Sequence, residues 1–123
     1  MAAPQQAAIP PQIQQQLAMF QQIQGQLQQV SSQKMQYEMN LREMKKALEE
    51  LEACADDAAV FSAVGSVMIQ KDKAAVKADL SDKADSLELR IGSLEKQEKA
   101  MAAKAASLQK QIQEAMSAGQ GAQ

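Results

Sequence analysis

Histidine is absent from this chain of 123 residues. Its absence removes the commonest general base in proteins, the Ser-His and Cys-His pairs of nucleophilic catalysis, and most zinc sites. The sequence also contains no glycine-rich phosphate loop and no CxxC motif. Asp and Glu are instead spaced with Lys or Arg four residues away, which is typical of ion pairs on a helix surface. Such pairs are Glu38 with Arg42, Asp79 with Lys83, and Glu95 with Lys99. We therefore expect no enzymatic activity, no cofactor and no metal site.

Large aromatic side chains are scarce, since the chain has one Tyr, two Phe and no Trp. This leaves little bulky material for a compact globular core. The 46% apolar content, mostly Ala, Leu, Met, Val and Ile, is better suited to long packed helices. The net charge of −2 provides no basic surface, so nucleic acid is not an expected partner.

Targeting and membrane signals are also missing. The start, MAAPQQAAIPPQ, lacks the charged and apolar regions of a signal peptide, and the weakly polar run from Ala58 to Ile69 is too short to cross a bilayer. Polar helix faces rich in Gln and mixed charge disfavour a membrane-surface protein. The single Cys54 cannot form an internal disulfide, which agrees with a reducing compartment, and we expect a cytoplasmic protein. We interpret Cys54 as a small apolar filler rather than a reactive thiol.

What the sequence does contain is two long heptad patterns, in which apolar residues recur at alternating steps of three and four. The first seam is Ile13, Gln16, Phe20, Ile23, Leu27, Val30, Lys34, Tyr37, Leu41, Met44, Leu48 and Leu51. The second seam is Lys77, Leu80, Ala84, Leu87, Ile91, Leu94, Glu98, Met101, Ala105, Leu108, Ile112 and Ala115. Ten of the twelve positions in each seam are apolar. A seam sustained over almost six heptads predicts a coiled coil.

The patterns divide the chain into five segments. These are a flexible tail at 1–11, a coiled-coil helix at 12–54, a β-hairpin assembly module at 55–73, a second coiled-coil helix at 74–116 and a flexible tail at 117–123. Pro10 and Pro11 stand where the first helix should begin, and Asp72 is the expected N-cap of the second.

Two seams of equal length joined by a short insert predict an antiparallel pair of helices. Setting Leu51 beside Lys77 gives a register in which the numbers of facing residues sum to 128. In this register Lys34 and Glu98 fall in adjacent layers. Our hypothesis is that they pair across the coil and fix its register.

The central insert VFSAVGSVMIQKD differs from the helices in its content of Val, Phe and Ile. VFSAV and VMIQK are typical of two strands around Gly65-Ser66, a pair suited to a type II′ turn. Pairing Val64 with Val67 gives a hairpin that is apolar on both faces and marginal by itself. We therefore expect hairpins of several subunits to complete a shared sheet or barrel. The predicted oligomer interface consists of Val60, Phe61, Val64, Val67, Met68 and Ile69. A turn packed back on its own helices is the alternative.

Four stretches together resemble the beta subunits of prefoldin, particularly the archaeal type. They are PPQIQQQLAMFQQIQGQL, LREMKKALEELE, the single hairpin VFSAVGSVMIQKD, and LELRIGSLEKQE in the return helix. The resemblance covers roughly residues 9–116. It implies a mainly α fold, a long antiparallel two-helix coiled coil with one central β-hairpin that joins an intersubunit β-barrel. It also implies a hetero-hexamer of two alpha and four beta subunits. Such a hexamer is an ATP-independent chaperone that holds non-native proteins and delivers them to a group II chaperonin.

A holding chaperone needs adaptable apolar surface that unfolded chains can reach. The first charged residue is Lys34, so the earlier part of the first helix is neutral, and Met side chains suit promiscuous contacts. The predicted client-binding residues are Ile9, Ile13, Leu17, Met19, Phe20, Leu108, Ile112 and Met116. Packing in the last layers of the coil is the alternative for these residues. The competing function is a structural coiled-coil adaptor that binds one folded partner.

Overall fold

The computed structural model describes residues 10–121, and of the last three of these the backbone alone. Two long helices flank a two-stranded hairpin along the sequence, in the order α1, β1, β2, α2. The elements are α1 Pro11–Ala53, β1 Val60–Val64, β2 Val67–Lys71 and α2 Lys73–Gly121. The predicted mainly helical fold with one central hairpin is confirmed.

The first helix begins at the prolines. The backbone N–H of Gln14 donates to the carbonyl of Pro10 over 3.1 Å, so Pro10 is the N-cap and Pro11 the first helical residue. Proline suits this position because its missing N–H would have no partner within the helix. The helix ends at Ala53, where the N–H of Cys54 donates to the carbonyl of Leu51 and tightens the last turn.

The second helix begins immediately after Asp72, whose carbonyl accepts the N–H of Val76 over 3.1 Å. Asp72 therefore occupies the predicted N-cap position. The predicted end at 116 is wrong, because α2 continues through Gly121. Residues 117–121 contain no proline that would remove a backbone hydrogen bond, so nothing in this stretch interrupts the helix.

The chain divides into two compact units, one made of the residues up to Ser32 and from Leu94 onward, the other of Gln33–Ser93. In the first unit, α1 and α2 pack through a buried cluster of Ile23, Ala105 and Leu108. Phe20 and Met101 lie against this cluster.

Burial follows the predicted seams. All twelve seam positions of α1 are buried or half-buried, and so are those of α2 except Lys77. Polar and aromatic contacts within the units give the register: Gln16 with Gln111, Ser31 with Glu98, Tyr37 with Arg90, and Glu52 with Lys77. The numbers in each pair sum to 127 or 129, within one of the predicted 128. The antiparallel coiled coil and its register are therefore confirmed within each unit.

Candidate assembly and binding surfaces

The hairpin is the first candidate surface. Its strands pair antiparallel with Val64 opposite Val67, as predicted. Gly65 has a φ of 62°, whereas Ser66 has no positive φ. This sign pattern is that of a type II′ turn, in which glycine supplies the left-handed first position.

Large apolar side chains cover both faces of the hairpin. Val64, Val67 and Ile69 lie on one face, and Phe61 and Met68 lie on the other. The exposed fractions of these five side chains run from 43% at Ile69 to 64% at Met68. Val60, the sixth residue of the predicted interface, is half-buried. A turn packed back on its own helices would have covered one of these faces, so the alternative fold of the insert does not describe this hairpin.

The segment that joins α1 to β1, residues 54–59, is called the neck below. Lys73, the first residue of α2, donates from its Nζ to the carbonyl oxygen of Cys54 over 2.7 Å. The same ammonium group lies 3.3 Å from the carboxylate of Asp56. The Lys73 side chain is 11% exposed, while that of Asp56 is fully exposed. Cys54 itself is exposed, so its interpretation as an apolar filler is wrong.

A second lysine connects the two helices at the neck. Nζ of Lys77 donates to both carboxylate oxygens of Glu52, at 2.8 Å for Oε2. The hydrogen bond and the charge of Lys77 lower the pKa of the Glu52 carboxyl from its ordinary value. Both side chains are about half exposed, and solvent therefore weakens the pair.

The helix ends farthest along the chain from the hairpin are the second candidate surface. Here the structure separates the predicted client-binding residues into two groups. Leu17, Met19 and Met116 are 37%, 47% and 50% exposed. The seam residues Ile13, Leu108 and Ile112 are buried, and Phe20 packs against the core cluster. Ile9 lies outside the described residues.

A polar seam residue lies among these apolar ones. Nε2 of Gln16 reaches Oε1 of Gln111 over 3.4 Å, and Oε1 of Gln16 is buried without a hydrogen-bond partner. An unsatisfied buried amide oxygen costs about 1–3 kcal/mol. This layer of the coil is therefore weaker than the Ile23 layer, which is entirely apolar.

Sequence reasoning missed several contacts between α1 and α2 and at the neck. The roles of Lys73 at the neck, of Arg90 beside Tyr37, and of Ser31 as a hydrogen-bond donor to Glu98 were not predicted. One signal was present for Lys73, since a cation at the first position of a helix is unfavourable unless another group compensates it. Of the three predicted helix-surface ion pairs, the structure shows that of Asp79 and Lys83, at 3.1 Å.

The part of the chain that the structure describes contains neither a candidate metal site nor a candidate membrane-spanning helix. Over residues 10–121, no three His, Cys, Asp or Glu side chains are grouped closely enough to hold a metal ion. Within the same range, neither helix combines the length and the apolar character needed to span a bilayer.

Comparison with known proteins agrees with this architecture. The model of the family described as prefoldin subunit matches residues 14–118. Among curated relatives, the prefoldin subunit beta of Methanospirillum hungatei JF-1 is 45% identical over 104 residues, which cover 85% of this chain and 87% of the relative. That of Thermococcus kodakarensis is 42% identical over 108 residues, covering 88% and 92%.

A solved structure extends the similarity to three dimensions. The crystal structure of the prefoldin beta subunit from Thermococcus strain KS-1 matches with a TM-score of 0.83 and 42% sequence identity. The match covers 87% of this chain and 94% of that one. The matched residues 14–118 include the hairpin and most of both helices, and the chain therefore belongs to the prefoldin subunit family, a family of chaperone subunits and not of enzymes.

Proposed function

We propose that this chain is the beta-type subunit of a prefoldin hexamer with two alpha and four beta subunits, and that it binds non-native proteins without ATP. The observation that carries the proposal is the hairpin, which exposes large apolar side chains on both faces. Exposed apolar patches of this kind mark contacts with other proteins.

Assembly is proposed to occur through these faces and through the free strand edges. A two-stranded hairpin has unpaired backbone groups along both edges, and these groups pair with a strand of a neighbouring chain at little cost. Val60, Phe61, Val64, Val67, Met68 and Ile69 would then be buried between subunits. Full burial of an exposed Val, Ile, Phe or Met side chain contributes about 1.5–3 kcal/mol, and each of these partly exposed residues would contribute a part of that to a shared β-barrel.

Client contact is proposed at Leu17, Met19 and Met116, which are exposed beside the coil seam. Charge is absent from the sequence before Lys34, so the α1 part of this surface repels neither acidic nor basic clients. Flexible, polarisable Met side chains adapt to clients of different shape. Ile13, Phe20, Leu108 and Ile112 pack the coil beneath these residues and support them.

Membership of the family supports a proposal for the later steps. We propose that the bound client passes to a group II chaperonin in the cytoplasm. Several subunits held together by their hairpins would contact one client at several points, which raises the overall affinity without new contacts.

The test is the mass of the complex in solution, measured by native mass spectrometry with and without an alpha-type prefoldin subunit. We expect a hexamer when both are present, and suppression of aggregation of unfolded citrate synthase without nucleotide. A double variant, Phe61→Ser with Met68→Ser, is expected to lose assembly while circular dichroism shows unchanged helix content. A monomer under both conditions would contradict the proposal. One saturable folded partner without protection of unfolded proteins would favour a coiled-coil adaptor.

A further inference from the structure

The helix ends at the neck lack the charges that usually stabilise helix ends. The last turn of α1 contains no basic residue, and the first turn of α2 contains no acidic residue. Helix dipoles favour cations at the C-terminal end and anions at the N-terminal end. Each helix instead carries the unfavourable charge, with Glu50 and Glu52 near the end of α1 and Lys73 at the start of α2.

The two ends compensate each other across the neck. Lys73 of α2 donates to the carbonyl of Cys54, the first residue after α1, and Lys77 pairs with Glu52 in the last turn of α1. The cations of α2 thus lie at the C-terminal end of α1, where the dipole favours them. The carboxylates of Glu52 and Asp56 lie beside the first residues of α2 in return.

The attachment of the hairpin to its helices is unequal on the two sides. On the α2 side a single residue, Asp72, separates β2 from the helix, so the strand and the helix are directly connected. On the α1 side the neck is six residues long, from 54 to 59, and lies outside the helices and strands. The backbone hydrogen bonds described for the neck are local: the N–H of Cys54 donates to the carbonyl of Leu51, and the N–H of Ala58 donates to the carbonyl of Ala55.

We propose that Lys73 is a positioning residue that holds the neck to the start of α2 and thereby fixes the direction in which the hairpin presents its apolar faces. Lys73 is suited to this role because it belongs to α2 and yet contacts both the carbonyl at residue 54 and the carboxylate at residue 56. Its side chain is 11% exposed, so the aliphatic stem is largely covered while the ammonium group makes both contacts. Loss of the amine leaves the Cys54 carbonyl without this donor.

The consequence for assembly rests on the proposed function, because it assumes that the hairpin faces meet other subunits. If the neck moves freely, each subunit loses conformational entropy when its hairpin docks, and assembly is weaker for the same contacts. Lys73 reduces this loss of entropy because it already holds the neck in the free subunit.

Hydrogen exchange of the full-length chain, followed by mass spectrometry, tests the neck directly. Lys73→Met retains most of the aliphatic stem and removes the ammonium group. We expect exchange in peptides covering residues 54–59 to be about tenfold faster than in the wild type, with unchanged exchange in the middle of both helices. Lys73→Arg, which keeps a cation with several donors, is expected to keep most of the protection. Equal exchange of the neck in Lys73→Met and wild type would overturn the proposal.

Lys83→Met is the matched control. Lys83 is also on α2 and also forms an ion pair, but with Asp79 of the same helix. The same chemical change there should leave the neck unaffected. A faster neck in Lys83→Met would show a general effect of lost charge and would contradict the role of Lys73.

A second measurement separates this inference from the proposed function. Native mass spectrometry over a dilution series should show that the Lys73→Met complex dissociates at a higher concentration than the wild type. If the Phe61→Ser, Met68→Ser variant assembles normally, the proposed function is wrong. If that variant fails to assemble while Lys73→Met assembles as tightly as the wild type, the positioning role is wrong and the proposed function stands.

Discussion

The guanidinium carbon of Arg90 on α2 lies 6.0 Å from the centre of the Tyr37 ring on α1. Tyr37 is a half-buried seam residue, and its hydroxyl accepts a hydrogen bond of 3.3 Å from the Gln33 amide. The cation therefore lies over the ring that fills this layer, at a distance typical of cation–π attraction. This contact joins the two helices within the unit Gln33–Ser93 in a way that an apolar seam alone does not.

A double-mutant cycle should measure the coupling of Tyr37 with Arg90. We expect Tyr37→Leu and Arg90→Gln to show a coupling energy of about 0.5–1 kcal/mol in chemical denaturation, because the ring face is lost in one and the cation in the other. Tyr37→Phe keeps the ring and is the control: Arg90→Gln should cost as much in this background as in the wild type, so the cycle with Phe should show almost no coupling energy. No coupling in the Leu cycle would show that the contact is incidental.

Substitution of two glycines by alanine should change stability in opposite directions. A Cβ atom at Gly65 or at Gly25 meets no atom within 4 Å, so neither change is opposed by a clash. Gly65 requires a positive φ, and Gly65→Ala should destabilise the hairpin by about 1–2 kcal/mol. Gly25 lies within α1, and Gly25→Ala should stabilise the helix by about 0.5–1 kcal/mol.

The readouts for the two glycines differ because the elements differ. Hydrogen exchange of Val64 and Val67 reports the hairpin, and the melting temperature by circular dichroism reports the helices. Gly65→Asn, which tolerates the left-handed conformation better than alanine, should recover part of the loss. An unchanged hairpin in Gly65→Ala would contradict the backbone explanation.

Removing the exposed apolar groups near the helix ends should abolish protection of clients. The triple variant Leu17→Ser, Met19→Ser and Met116→Ser removes three exposed side chains outside the seam. We expect it to assemble normally and to lose most of its suppression of citrate synthase aggregation, because the apolar contact surface is gone.

The chain offers a control of the same composition for this experiment. Leu89, Met35 and Met39 are also exposed, and all three lie in the unit Gln33–Ser93. Changing these three to Ser removes one Leu and two Met, as in the test variant, and should leave protection intact. Equal loss in both variants would show that general surface hydrophobicity, and not this location, determines client binding.

The pair of Glu52 and Lys77 predicts a pH dependence of stability. The pKa of Glu52 is lowered in the folded state by the hydrogen bond and charge of Lys77. A lowered pKa means that the pair stabilises the fold above the ordinary value of 4.5 and that this contribution is lost as the pH falls through the lowered pKa. Glu52→Gln should therefore melt slightly below the wild type at pH 7, and the difference should vanish in strong acid.

The background variant Lys77→Met separates the contribution of this pair from those of the other acidic residues. In that background Glu52→Gln should have little effect at any pH, since the cause of the lowered pKa is already removed. A difference between wild type and Glu52→Gln that persists at pH 2 would contradict this assignment.

The coiled coil and the hairpin could be predicted because their signals are periodic and local. The seams from Ile13 and from Lys77 repeat often enough to fix both the helices and their register, and Gly65-Ser66 determines the turn. Lys73 could not be predicted in the same way, because its partners at residues 54 and 56 come close through the path of the neck. The exposure of Cys54 was missed for the same reason, since it lies just beyond the helix end.

The candidate sites were predicted less completely than the fold. The heptad period separates the buried Ile13 and Ile112 from Leu17 and Met116, which lie off the seam and are exposed, but it does not show which residues contact clients. Which of them clients contact stays a prediction. The pairing of Lys34 with Glu98 also stays a prediction, and replacement of both by Leu followed by cross-linking of the register tests it.

Because both faces of the hairpin are apolar, its strand register is determined in an unusual way. In most strands one face is apolar and the other polar. A register slip of one residue then moves the apolar side chains into water, and this free-energy cost disfavours the wrong register. Here a slip would bring Phe61 to the face of Val67 and Ile69 and would bring Val64 to the face of Met68, and either arrangement would be apolar on both sides. The distribution of apolar side chains therefore does not determine the strand register, and the tight turn at Gly65 determines it. One residue without a side chain thus decides which groups each neighbouring chain would meet.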